Sequence, residues 1–220
     1  MLSASELNRR YFREAYRTGV HGWDVEEPSP DAVKYLRRIR RTTPGGKLLD
    51  VGCGEGRNSF AAALLGFKVM AIDFEPLALK RARRFARLRQ IKGVAFQQAD
   101  ALHLPFPYAS FDVVLDYGCL HHQRKSEWPL YKANLLRVLK PKGYCILSVF
   151  SPRFPLFKGS RRPWHLAYGA YRRRFTPGEI AALFGRQFDL LDLHEVKGEG
   201  GGFWHVLMRR NRRSVGGAMR

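Results

Sequence analysis

Between Leu48 and Asn58 the apolar run Leu-Leu-Asp-Val breaks into glycines at alternate positions, Gly52-Cys53-Gly54-Glu55-Gly56, just where a buried strand would end. Glycine has no Cβ and takes positive φ readily, so this pattern makes a tight strand-to-helix turn and lets a bound molecule lie against the backbone. A chain built around it alternates strands with helices over a ligand. The flanking pattern agrees. Residues 47–51 read as a buried strand, 57–65 as a helix, 67–72 as a second strand closed by Asp73, and Glu75-Pro76 opens a basic helix that ends near Gly93. A third strand at 94–97 completes a βαβαβ unit, and 111–116 reads as a fourth.

Downstream, residues 128–139 read as a helix stopped by Pro141 and Gly143, and 144–150 as a fifth strand. Thr176 and Pro177 start a short helix over 179–184, and strands at 188–196 and 203–208 form an antiparallel hairpin. Upstream, helices are expected over 3–16, with Ser3 or Ser5 as N-cap, and over 31–41, started by Pro30 and Asp31.

A chain of 220 residues with 45% hydrophobic composition is the size of one α/β domain and can bury a real core. No apolar run is long enough to span a bilayer, and the first ten residues carry polar groups where a signal peptide needs an apolar segment, so a cytoplasmic protein is expected. Cys53, Cys119 and Cys145 are widely spaced with no C-x-x-C pair, which fits reduced thiols and neither a disulfide framework nor a metal site. The formal charge of +20 is gathered in runs at 37–41, 80–89, 172–174 and 209–213. Such a field attracts nucleic acid, anionic headgroups or acidic small molecules, or it is a solvated arginine-rich surface; charge balance bears on encounter rather than on chemistry.

Ligands bind a doubly wound sheet at the carboxyl ends of its strands, where strand order reverses. That edge gathers Gly52, Gly54 and Gly56, then Asp73, Asp100, and the segment from Asp116 to His122. Asp73 lies 21 residues past Gly52, placed to accept from both hydroxyls of a ribose. A dinucleotide fingerprint is G-x-G-x-x-G, but the third glycine here is one residue early. Asp50 and Glu55 in this loop favour a cationic ligand over a pyrophosphate.

Taken together, Leu48 to Gly56, Ala71-Ile72-Asp73-Phe74-Glu75-Pro76, Gln97-Gln98-Ala99-Asp100-Ala101 and the segment from Leu136 to Gly143 resemble, in order and spacing, the motifs of class I S-adenosylmethionine-dependent methyltransferases. The resemblance runs from about Trp23 to Met208. It implies an α/β, Rossmann-like, doubly wound seven-stranded sheet, mostly parallel with an antiparallel last strand and helices on both faces. S-adenosylmethionine is the implied cofactor. Gly52, Gly54 and Gly56 would pack against its methionine part, Asp50 would hold its amino group, and Asp73 its ribose. Phe74 or Ala101 would stack on adenine, Asp100 would accept from the adenine amino group, and Asp116 would complete the site. The family's usual Pro-Gly-Gly is here Pro141-Lys142-Gly143. Gly54 to Ser59, Tyr11 to Trp23 and Asp116 to His122 resemble more closely the tellurite-resistance and thiopurine methyltransferase branch.

By the same resemblance, residues 1–210 form one methyltransferase domain in which 1–43 are a helical lid and 151–175 a substrate-side insertion, with 211–220 a basic, flexible tail. Tyr11, Tyr16, Trp23 and Phe150 are candidates to cover the substrate, or they simply pack a peripheral helix. Methyl transfer is an in-line displacement that depends mostly on position and dryness, so a base is optional. Were one used, His121 and His122 at the mouth of the fourth strand are its candidates. A small-molecule acceptor is the expected substrate. The alternatives are a nucleic-acid methyltransferase that uses the basic surface and a non-catalytic cofactor-binding subunit. The oligomeric state is not set by these motifs.

Overall fold

The computed structural model describes residues 4–19, 27–196 and 201–211. Seven strands form the main sheet: β1 (Lys47–Val51), β2 (Lys68–Asp73), β3 (Val94–Gln98), β4 (Phe111–Tyr117), β5 (Leu139–Phe150), β8 (Phe188–Val196) and β9 (Phe203–Arg210). Their order is β3-β2-β1-β4-β5-β9-β8, and β9 alone runs against its neighbours. Order reverses between β1 and β4, so the loops after these two strands diverge and leave a crevice.

Helices α1 (Ala4–Thr18), α2 (Pro30–Arg40), α3 (Arg57–Leu64), α4 (Pro76–Leu88), α5 (Trp128–Val138) and α6 (Pro177–Phe184) surround the sheet. Alternate strand residues feed two cores. Leu49, Val51, Val114 and Leu147 pack with α5 and α6, whereas Leu48, Val113, Leu115 and Ile146 pack with Tyr35, Leu36 and Ile39 of α2. This two-sided burial explains why the parallel strands read as continuous apolar runs. The α2 helix is therefore part of the core, and only its start, capped by Ser29 through the Ala32 amide, reaches the crevice. Within residues 1–43, α2 packs into the core and α1 lies along the crevice.

Two local departures have clear causes. The α5 helix ends at Val138, and Leu139 to Phe150 is one long strand whose register with β4 shifts between Phe111 and Val113. Pro141-Lys142-Gly143 thus makes an irregularity within β5, with Lys142 at φ +64°, where the chain had been read as a stop between helix and strand. The segment 151–175 folds as a 3-10 turn followed by a separate hairpin, β6 (Trp164–Ala167) and β7 (Ala170–Arg173). Asn8 of α1 accepts from the Tyr171 amide of β7 at 2.7 Å and donates to the His122 carbonyl at 2.8 Å. The hairpin and α1 hold each other over the crevice.

Candidate active site

The loop after β1 is a backbone cradle. Gly54 (φ +56°) and Gly56 (φ +91°) lie in the left-handed region, and Gly56 is the N-cap of α3. Side chains are excluded by space as well as by φ. A Cβ on Gly54 would stand 3.0 Å from the Tyr16 hydroxyl, one on Gly56 2.9 Å from the Phe60 ring, and one on Gly52 3.1 Å from Cys119 Cβ. Tyr16, from α1, is buried directly over the cradle. Arg81 of α4 donates to Glu55 at 2.8 Å and to the Tyr16 carbonyl at 2.7 Å, tying the loop to α1. Glu55 is therefore committed to an ion pair and does not supply the loose negative charge that its position in the sequence suggests.

Acidic groups line the same end. Asp50 accepts from Ser59 Oγ at 2.5 Å, and burial pushes its carboxyl up to about 7, the nearby Asp116 and Asp73 adding to the shift. Asp73 accepts from the Gly54 and Glu75 amides, both at 2.9 Å; burial raises it to about 6 although those amides oppose the shift. Asp100, partly exposed, accepts from Arg9 Nη2 at 2.6 Å and from the Leu102 amide at 2.9 Å. Phe74 stands beside it with the Arg9 guanidinium 5.1 Å above its ring, and Ala101 also faces the cavity. Asp116 does not. It is fully buried, accepts from the Cys119 and Leu120 amides at 2.6 and 3.0 Å and from the Tyr131 hydroxyl, and thereby shapes the loop after β4 from behind the cavity wall.

A row of aromatic rings lines the same cavity. Ring centroids follow one another from Phe12 to His122 at 5.0 Å, His121 at 4.5 Å, Phe150 at 3.7 Å and Phe203 at 5.1 Å. The row continues to His205 at 6.4 Å and Tyr117 at 5.6 Å. A guanidinium caps each end: Arg172 lies 4.8 Å from the Tyr11 ring and Arg57 lies 5.5 Å from the Tyr117 ring. Burial pushes His121 well below the ordinary imidazole range and lowers His122 to about 4, so both are neutral. His122 Nδ1 lies 2.8 Å from the Tyr171 carbonyl, which can only accept; Nδ1 carries the proton and Nε2 the lone pair. His121 lies flat on Phe150 with its Nδ1 buried and without a hydrogen bond, the position of a packed ring.

Both halves belong to one cavity of about 1300 Å³. It gathers the three glycines with Asp50, Asp73, Phe74, Asp100 and Ala101, and it joins to them Tyr11, Tyr16, His121, His122 and Phe150. Trp23 lies outside the described residues, as do residues 212–220 of the basic tail. Also facing the cavity are Asp31 of α2 and His205 of β9, which no motif marks: they are far apart in the chain and only the antiparallel course of β9 brings its first residues to this edge.

A family model described as a methyltransferase domain matches residues 42–166, more than half of the chain. The chain belongs to this family. Among the relatives of this methyltransferase-domain protein, the 27-O-demethylrifamycin SV methyltransferase of Amycolatopsis mediterranei is 33% identical over 138 residues, 59% of this chain and 50% of that protein. A probable thiol methyltransferase 2 of Arabidopsis thaliana is 26% identical over 81% of this chain and 77% of its own length. The chain spans about half the length of several curated relatives that it matches. Among solved structures, Burkholderia thailandensis 1,6-didemethyltoxoflavin-N1-methyltransferase, with bound 1,6-didemethyltoxoflavin and S-adenosylhomocysteine, superposes with a TM-score of 0.77 at 26% identity, covering 96% of this chain and 92% of that one. No helix among the described residues is long and apolar enough to cross a membrane.

Proposed function

We propose that the protein is an S-adenosylmethionine-dependent methyltransferase whose acceptor is a small, flat aromatic or heteroaromatic molecule. The observation that carries this reading is one cavity with two unlike walls, a glycine cradle beside buried carboxylates and a row of aromatic rings. The cradle fits the cofactor because no Cβ can be built at Gly54 or Gly56 without meeting Tyr16 or Phe60, so the floor is bare backbone. The carboxylates fit it because a cation and two ribose hydroxyls need acceptors in a site that is otherwise dry.

In this reading Asp50 holds the amino group and Asp73 the ribose. Asp100 and Phe74, with Ala101, meet the adenine. Bound S-adenosylmethionine supplies a methyl group on a sulfonium, which any well-placed nucleophile can take. The chain contributes position and exclusion of water: Tyr16 and Tyr11 cover the site from α1, and the aromatic row holds a planar acceptor by its face. Asp116 acts indirectly, by fixing the loop that carries His121 and His122.

Aromatic acceptors are supported by the ring wall and by a solved relative named for a toxoflavin precursor. Sulfur as the accepting atom, the finer resemblance to the thiopurine branch, has the support of the Arabidopsis thiol methyltransferase likeness.

The test has two stages. S-adenosylhomocysteine should raise the melting temperature and NAD should not, because only a ligand of the native state stabilises it. Tritiated S-adenosylmethionine is then offered with phenols, hydroxyquinolines, nitrogen heteroaromatics, thiophenols and total RNA. Label in the aromatic acceptors is expected. An equal shift with NAD overturns the cofactor reading, label in RNA alone transfers the assignment to the basic surface, and binding without any transfer makes the protein a cofactor-binding subunit.

A further inference from the structure

Strand β9 runs opposite to β5, so its first residues lie at the ligand-binding edge, beside the carboxyl ends of β4 and β5. In that row Tyr117, Ser148, His205 and His194 are register neighbours on four successive strands, and the two histidines meet α2 at Tyr35 and Asp31. The His205 ring lies between Tyr117 and Phe203, at 25° and 24° to them, and is almost fully buried yet faces the cavity. Asp31, at the start of α2, stands between two imidazoles. Its Oδ1 lies 2.9 Å from His194 Nε2 and its Oδ2 3.8 Å from His205 Nε2. Tyr35 fixes the far side: its hydroxyl donates to Asp192 at 3.0 Å and lies 3.2 Å from His194 Nδ1.

We propose that His205 is the proton acceptor of the reaction, that Asp31 is its positioning residue, and that the acceptors it serves are those whose nucleophilic atom still carries a proton, such as phenols and ring N–H groups. This rests on the methyltransferase reading and deepens it. With Nε2 turned to the Asp31 carboxylate, Nδ1 is left to take a proton. The 3.8 Å separation is longer than a hydrogen bond, and catalytic contacts of this kind tighten once the reactants are in place. The acceptor's heteroatom forms its bond to the methyl carbon while the carbon–sulfur pair stays on sulfur, leaving a neutral thioether. The proton leaving the heteroatom goes to His205, and Asp31 holds the imidazolium that results.

The surrounding charges suit the task. Asp31 of α2 favours the charged ring; His194 of β8 opposes it, and burial keeps the ring below the ordinary imidazole range, hence neutral and able to accept before the reaction. Asp192 of β8 faces His194 and Tyr35 rather than His205, and Arg57 of α3 is separated from it by the Tyr117 ring. His121 and His122 are worse placed. One is packed flat on Phe150, and the other turns its Nδ1 to the Tyr171 carbonyl and not to a carboxylate.

The experiment compares wild type with His205→Gln and Asp31→Asn on two matched phenols, one ionised at the assay pH and one not, with S-adenosylhomocysteine affinity measured by calorimetry throughout. On the protonated phenol, kcat should fall about 100-fold in His205→Gln and about 10-fold in Asp31→Asn. On the ionised phenol the loss of kcat in His205→Gln should be at least about tenfold smaller than on the protonated one, and cofactor affinity should stay within twofold. Equal loss on both phenols, or loss with His122→Gln in place of His205→Gln, overturns the proposal and leaves the methyltransferase reading intact. Histidine ring NMR gives a readout without turnover. The His205 titration midpoint should drop in Asp31→Asn, and an unchanged midpoint overturns the pairing whatever the rates show.

Discussion

The two walls of the cavity are made differently. The glycine cradle and its carboxylates come from short contiguous segments at the ends of β1, β2 and β3, and they are fixed by backbone: positive φ at Gly54 and Gly56, and the Gly54 and Glu75 amides held by Asp73. The aromatic wall is assembled from β4, β5, β9 and α1, and it is fixed by side-chain packing, with His121 stacked on Phe150 and Phe203 bridging to His205. Backbone sites are intolerant because a lost amide partner or an added Cβ has no rotamer to escape into. Side-chain sites are graded, since volume and shape can be exchanged at moderate cost. On the proposed reading, one chain can thus hold its cofactor half constant while its acceptor half drifts.

The largest expected effect breaks this contrast most directly. Asp73→Ala should weaken S-adenosylhomocysteine by more than about 100-fold and remove its thermal shift, since two hydrogen bonds to an ionised group are each worth about 1.5–3 kcal/mol. Phe150→Leu should leave that affinity within twofold and raise the KM of an aromatic acceptor about fivefold, near the ~1 kcal/mol of a lost ring pair. Calorimetry and steady-state rates on the two variants decide the matter. If Phe150→Leu weakens the cofactor as much as the acceptor, the walls are not separable.

This contrast also explains which parts could be read from the sequence. The strands of the parallel half and the glycine turn were legible because their constraints are local: a ligand-facing loop requires glycine at positions only two apart, and parallel strands require continuous apolar runs. Asp31 and His205 were not, because their approach depends on the antiparallel return of β9. The β6–β7 hairpin stayed hidden for another reason. Its strands are four residues each, and its two-residue turn is Tyr168-Gly169, both at positive φ, in place of the asparagine or aspartate that usually announces such a turn. Asp116 misled for the opposite reason: it sits at the expected edge, but its oxygens are taken by the loop it supports.

Charge sharpens the comparison more gently. Asp50 and Asp73 have carboxyls raised by burial, so the native state prefers them protonated, and the stability this provides is present at low pH and lost as pH rises through about 6 for Asp73 and about 7 for Asp50. A bound ammonium needs the ionised form, so it works in the opposite direction. S-adenosylhomocysteine affinity should therefore rise about tenfold from below pH 6 to above pH 7, with net proton release, while the free protein loses stability. Calorimetry in buffers of different ionisation enthalpy measures both. A pH-independent Kd with no proton release would separate Asp50 from the ligand's amino group and Asp73 from its ribose.

The smallest effect lies outside both walls, at a turn whose geometry resembles that of the cradle. Lys142 adopts φ +64° between Pro141 and Gly143, close to the φ +56° of Gly54. A left-handed conformation costs a side-chain-bearing residue about 1–2 kcal/mol, partly offset by the greater freedom that glycine loses on folding. Lys142→Gly should therefore stabilise the protein by about 0.5–1 kcal/mol, a rise of ~1–4 °C in Tm, with S-adenosylhomocysteine affinity unchanged. The exposed Lys142 side chain lies away from the cavity lining, whereas at Gly54 a Cβ in the same conformation would stand 3.0 Å from the Tyr16 hydroxyl. A Lys142→Gly variant that melts at or below the wild-type temperature would mean that the Lys142 side chain contributes more than its backbone strain costs. The positive φ alone would then no longer distinguish a turn that tolerates lysine from a cradle that requires glycine.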